Sequence, residues 1–273
     1  MGVPMAANLS AAGFRVQSYD ARGTGTHGSA RAAVEGADVL LTMLPDGEAV
    51  REVVLEALPA LKRGALVIDM SSSDPLGTQA LLSVLSAKSI SIVDAPVSGA
   101  LPKAKDGTLA IMVGGSAEDV QRARPVLEKL GRDIFHVGPV GAGHVVKALN
   151  NYLGAAGTLA GFEALLLARA FGLEPQPMLD AINASTGRNW TTERKIPLQI
   201  LTGAFASGFK LALMAKDVAI AAGLAKDLGV ETPYLRETLR LWRDAARRLP
   251  RNADHTEIYK YQLKLGTRRK RKR

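Results

Sequence analysis

Cysteine is absent from all 273 residues. That excludes disulfides and thiolate metal sites. Histidine is scarce: His27, His136, His144 and His255 fall at no metal-ligand spacing of the HExxH kind, so no metal is expected. No uninterrupted apolar run reaches the ~18 residues that cross a bilayer. No charged-then-apolar leader opens the chain. The expectation from these absences is a soluble, intracellular, cytoplasmic protein with no membrane partner.

Acidic residues are missing from the end of the chain. Arg268 to Arg273 are all basic, and without these six the formal net charge of +9 falls to +3. A like-charge block of this kind is expected to form a disordered tail over residues 267–273. Any contact with nucleic acid is expected through that tail alone and without sequence specificity.

What is present is an alternation of short β-type runs and helical segments. Strands are expected at Arg15–Tyr19, Val39–Met43, Leu66–Asp69, Ile90–Asp94, Ala110–Val113 and Ile134–Val137. Helices are expected between them at Glu48–Leu61, Pro75–Ala87 and Ala117–Leu130, with Asp74 and Ser116 as N-caps. Such alternation implies a mostly parallel sheet covered by helices on both faces. After Gly141 the strand signals stop and alanine- and leucine-rich helical periodicity runs to about Leu249. The fold class is therefore an α/β domain over residues 1–140 followed by an all-helical domain over 141–266. A helix from Gly143 to Phe171, roughly 40 Å long at 1.5 Å per residue, would join them.

The segment Gly141-Ala142-Gly143-His144-Val145-Val146-Lys147-Ala148-Leu149-Asn150-Asn151 is the most informative stretch. Lys147 and Asn151, four residues apart, share one helix face. A lysine among Val145, Val146, Ala148 and Leu149 is partly desolvated, which lowers its pKa toward that of an acid/base catalyst. At the other end of the chain, Gly2 precedes a helical stretch, and Asp20 follows it by 18 residues at the end of an expected strand. This matches the last glycine of a dinucleotide fingerprint and the acidic residue that takes the ribose 2′-hydroxyl. The expected first strand and first two glycines are not in this sequence, which predicts weakened cofactor binding. Asp20 favours NAD, with NADP as the alternative because Arg22 lies two residues on.

Four segments in order resemble the β-hydroxyacid dehydrogenase family. They are Met1 to Leu9; Asp94-Ala95-Pro96-Val97-Ser98-Gly99 with Gly107-Thr108-Leu109 and Met112 to Gly115; Gly141 to Asn151; and Lys216–Asp217. The resemblance implies a Rossmann-type cofactor domain and a hydride transfer between NAD(P) and a short 3-hydroxy acid of the 3-hydroxyisobutyrate or tartronate semialdehyde kind. It implies that Lys147 and Asn151 are catalytic, and that Ser98, Gly99 and Ala100 bind the substrate carboxylate. Ala100 stands where the family often has glycine. Gly2, Asp20, Leu44, Pro45, Ser72 and Lys216 would bind the cofactor, with Ser71 beside Ser72. A homodimer or tetramer is expected from long apolar helices packing together. The rival from another class is a non-catalytic binding protein that reuses the fold.

Overall fold

The computed structural model describes residues 1–270. It divides the chain into two compact units, Met1–Lys147 and a second that begins at Ala148.

The first unit is a six-stranded sheet with helices on both faces. Its strands are β1 (Val39–Thr42), β2 (Leu66–Asp69), β3 (Ser91–Asp94), β4 (Val97–Ser98), β5 (Leu109–Gly114) and β6 (Gly131–Gly138). Their order is β1-β2-β3-β5-β4, with β6 also on β5. Strands β1 to β3 are parallel, and β5 runs antiparallel to β3 and β4 but parallel to β6. The helices are α1 (Gly2–Ala11), α2 (Ala30–Ala33), α3 (Gly47–Ala57), α4 (Pro75–Ser86), α5 (Ala100–Lys105) and α6 (Ala117–Leu127).

Strand β2 shows why both faces are covered. Alternate side chains point to opposite faces. Leu66 and Ile68 join Met5 and Leu9 of α1 and Ala123 and Leu127 of α6 in one core. Val67 joins Val50 and Val54 of α3 and Leu81 and Leu85 of α4 in another. Strands buried on both sides read as continuous apolar runs, as Leu66 to Ile68 do. The expected caps form: the Asp74 side chain accepts from the Gly77 amide, and Ser116 from the Asp119 amide.

Arg15–Tyr19 is not a strand. Its backbone pairs with no neighbouring strand; Ser18 instead exchanges hydrogen bonds with Thr26 and His27 in the following turn. Strand β4 and helices α2 and α5, each only two to six residues long, had no periodicity to reveal them.

The second unit is helical. Helix α7 (Ala142–Phe171) enters it from the first unit, followed by α8 (Pro175–Asn183), a π-helix (Thr191–Ile200), α9 (Leu211–Asp227), α10 (Pro233–Arg248) and α11 (Ile258–Lys270). The π-helix and α11 were not expected. Ala148, Ala155, Leu159, Phe162 and Leu165 of α7 form one wall of its core, against Trp242 of α10. Trp242 is fully buried, and its indole Nε1 donates to the Ala155 carbonyl at 3.3 Å. Against expectation, α7 is long and apolar enough to cross a membrane by length and composition. The sequence reading counted unbroken runs, whereas this helix carries scattered polar residues within an apolar average. Its Ala148-to-Leu165 face is nonetheless core. The tail expected at residues 267–273 lies outside the described residues, apart from the α11 backbone to Lys270.

Lys195, on the π-helix, is buried, and its Nζ donates to Thr158 Oγ1 at 2.6 Å. Burial brings its amine down to about 8, against a weaker opposing pull from Asp254. The unfolded chain therefore binds more protons between about pH 8 and the ordinary lysine value, and the contribution of Lys195 to stability rises with pH across that window. Lys195→Met is expected to improve stability relative to wild type most near pH 7, with the gain shrinking toward pH 10.5. Urea melts at both pH values check this; a constant difference contradicts it.

Candidate active site

Strand β3 ends on Asp94, which is wholly buried. Its Oδ1 accepts from the Gly141 amide at 2.7 Å and its Oδ2 from the His144 amide at 2.8 Å. Both are backbone donors where α7 begins, and amides there have no partner within the helix. Burial raises the Asp94 carboxyl above the usual range, while the His144 imidazole and these two amides pull it back.

The glycines around this carboxylate follow from it. A Cβ on Gly143 would lie 2.4 Å from the Met112 carbonyl oxygen and 2.8 Å from Asp94 Oδ2. On Gly114 it would lie 2.5 Å from Asp94 Oδ1. Only glycine lets the backbone come this close.

His144 extends the network. It is buried; its Nδ1 is 2.9 Å from Thr78 Oγ1, and its Nε2 is 3.6 Å from Asp69 Oδ2. The Thr78 hydroxyl also lies 3.0 Å from the Asp74 carbonyl, which it bonds as a donor. Asp69 in turn accepts from Thr42 Oγ1, the Ser71 amide and Ser73 Oγ at 2.7–2.9 Å. The carboxyl ends of β2 and β3 are thereby tied to the start of α7.

Lys147 follows three residues after His144 on α7 and is half-buried. Asn151 lies one turn further on, buried. Its Nδ2 donates to Asp217 Oδ2 of α9 at 2.6 Å, and its Oδ1 accepts from Asn150 at 3.1 Å. Lys216 Nζ lies 3.1 Å from Asp217 Oδ1. Asp217 is visible in the sequence only as half of the Lys216–Asp217 pair, with no role assigned to it. Its signal was an acid inside the apolar stripe Met214, Ala215, Val218 and Ala221, all buried. A buried acid needs a partner.

Ser98, Leu44, Pro45 and Ser72 fall at the carboxyl ends of strands, whereas Asp20, expected at a strand end, does not, because Arg15–Tyr19 forms no strand. Pairing of β4 with β5 fixes Ser98 opposite Ala110. Gly99 follows at φ 139° and Ala100 at φ 55°. Ala100 thus holds a left-handed conformation that costs a residue with a Cβ roughly 1–2 kcal/mol. Ser71 Oγ accepts from the Leu44 amide at 2.9 Å, so this hydroxyl fixes the Leu44–Pro45 turn. Ser72 beside it is half-buried.

Gly2 opens α1 beside the end of β1: a Cβ there would come within 4.0 Å of the Met43 Cβ. A helix N-terminus beside Met43, just past β1, fits the phosphates of a dinucleotide at a sheet's carboxyl edge. Asp20 is exposed to a lesser degree than Arg22, which closes over it with two side-chain bonds of 3.0 and 2.9 Å. These bonds hold the Asp20 carboxyl well below the usual range. Trp190 is exposed, and Phe209 packs edge-on against His255.

Comparison with known proteins identifies the family of the chain. Residues 1–138 match the family described as the NAD binding domain of 6-phosphogluconate dehydrogenase. Residues 141–262 match that described as the NAD-binding of NADP-dependent 3-hydroxyisobutyrate dehydrogenase. The NAD-dependent L-serine dehydrogenase of Pseudomonas aeruginosa is 37% identical over 262 residues, covering 89% of this chain and 88% of that protein. The 3-hydroxyisobutyrate dehydrogenase of the same organism is 38% identical over 252 residues, covering 85% of each. The solved structure of Mycobacterium tuberculosis 3-hydroxyisobutyrate dehydrogenase with L-serine is 33% identical with a TM-score of 0.91, covering 96% of this chain and 95% of that one.

Removing the Asp94 carboxylate strands two buried amides. Asp94→Ala is expected to destabilise the first unit by on the order of 3 kcal/mol, from unsatisfied buried donors. Chemical denaturation checks this; a loss below about 1 kcal/mol contradicts the capping role.

Proposed function

The chain belongs to the β-hydroxyacid dehydrogenase family and is an NAD(P)-dependent oxidoreductase of hydroxy acids, and on that premise we propose that it reversibly oxidises a short 3-hydroxy acid to its semialdehyde. The observation that carries this reading is Lys147 one helical turn from Asn151, which Asp217 holds at 2.6 Å.

In this reading the Ser98 hydroxyl and the backbone amides beside Gly99 bind the substrate carboxylate, a charge-assisted arrangement. The Lys147 amine takes the hydroxyl proton as the carbinol C–H bond breaks and the carbonyl forms, and returns the proton in the reverse direction. NAD(P), when bound, accepts the hydride. Asn151 keeps the Lys147 turn of α7 in place, and Asp217 fixes Asn151. Gly2, Leu44, Pro45 and Ser72 hold the cofactor.

The relatives named for L-serine and for 3-hydroxyisobutyrate support the substrate class, since both compounds carry a primary hydroxyl two carbons from a carboxylate carbon. Asp20 supports NAD, while Arg22, already placed over it, would meet a 2′-phosphate and keeps NADP as the alternative. The family membership sets aside the non-catalytic reading. Exposed Leu153, Leu167 and Phe171 on α7 support assembly with further copies of the chain.

Purified protein with NAD⁺ or NADP⁺ is expected to reduce the nicotinamide with 3-hydroxyisobutyrate or L-serine but not with a 2-hydroxy acid such as lactate. Absorbance at the reduced-cofactor band reads the outcome; turnover of lactate alone overturns the proposal. Lys147→Ala is expected to lower kcat by about 10²-fold or more. Asp217→Ala is expected to lower it by about 10–10²-fold through misplacement, with KM moving less. Wild-type kcat in either variant contradicts its assigned role.

A further inference from the structure

The charge of this chain is unevenly placed. Residues 231–273 carry a formal net charge of +9, so residues 1–230 are balanced. Part of that excess is organised. Arg236, Arg240, Arg243 and Arg247 follow one another at spacings of four, three and four, which sets them in a single stripe along α10. With Arg248 and Asp244 they line a concavity of about 490 Å³. All five arginines are exposed.

Acids offset the stripe only in part. Glu231 pairs with Arg236, Glu237 binds Arg240 through two bonds, and Asp244 pairs with Arg248. Among the described residues no carboxylate pairs with Arg243 or Arg247. The opposite face of α10 buries Leu235, Trp242 and Ala245, and Leu239, the one apolar residue lining the concavity, is itself buried, so the stripe offers guanidinium groups and no exposed apolar side chain to enter lipid.

We propose that this arginine-lined face of α10 binds the phosphodiester backbone of nucleic acid without reading its sequence. Guanidinium forks match phosphate oxygens in pairs. The twelve residues from Arg236 to Arg247 extend about 16 Å along the helix, enough to face several successive phosphates of one strand at about 3.4 Å of duplex axis each. Asp244 and Glu237 limit how deeply the backbone seats and leave Arg243 and Arg247 as the principal contacts. The face lies wholly in the second unit and uses none of the residues assigned to hydride transfer.

The test is fluorescence anisotropy of a labelled 20-base-pair DNA duplex titrated with the full chain over a series of salt concentrations. Three proteins are compared: wild type, the double variant Arg243→Gln/Arg247→Gln, and a variant with residues 268–273 all changed to glutamine. The expected result is salt-dependent binding that weakens at least tenfold in the double variant. Its log–log salt slope should be smaller by about two, one per lost phosphate contact. Circular dichroism melts and hydroxy-acid turnover of the double variant should match wild type. Binding by the double variant equal to wild type overturns the proposal, whether or not the tail variant loses binding. So does wild-type binding to phosphatidylserine/phosphatidylcholine vesicles with none to the duplex.

Discussion

Asp94 closes β3 with a buried carboxylate, and the first turn of α7 is assembled around it. Its two oxygens take the amides of Gly141 and His144, and its bulk forbids a Cβ on Gly114 and Gly143. Removal of a carboxylate from water is costly unless hydrogen bonds replace the lost hydration. Here the replacement donors are the amides of the helix that carries Lys147. The substrate-loop residues Ser98 and Gly99 begin only four residues beyond Asp94. One group therefore fixes both the strand end that leads to the loop proposed to bind the carboxylate and the helix start that leads to Lys147, the amine proposed to transfer the proton.

The second unit uses the same device once more. Asp217 is a buried acid within an apolar face of α9, and its hydrogen bond from Asn151 fixes α7 one turn beyond Lys147. Such preorganisation lets an amine stay aligned with a hydroxyl proton without paying for ordering at each turnover. The Asp69, His144 and Thr78 contacts reinforce the first of these anchors from the neighbouring strand and from α4.

Much of this was legible from residues alone, for identifiable reasons. The parallel strands and their crossover helices have strong periodicity and clear caps at Asp74 and Ser116, so they were expected nearly where they stand. The segment Gly141 to Asn151, proposed as catalytic, stood out because a lysine and an asparagine at helical spacing beside glycines is a chemically unusual pattern. Asp94 was visible only as a letter of a motif, since its role depends on contacts 47 and 50 residues away. Asp217 lies 66 residues from Asn151 and had the same long-range character. Arg15–Tyr19 misled because strand propensity does not supply a pairing partner. The π-helix was missed because no sequence period marks an i,i+5 turn. The strain at Ala100 was invisible because alanine itself announces no positive φ.

The most direct measurement of the central claim is the turnover of Lys147→Ala with methylamine added over a range of pH. If Lys147 moves the substrate proton, turnover rises in proportion to the free amine and follows the ionisation of methylamine rather than that of the protein. Turnover of the variant that needs no amine and keeps the wild-type pH profile would contradict the assignment of Lys147 as the acid/base group.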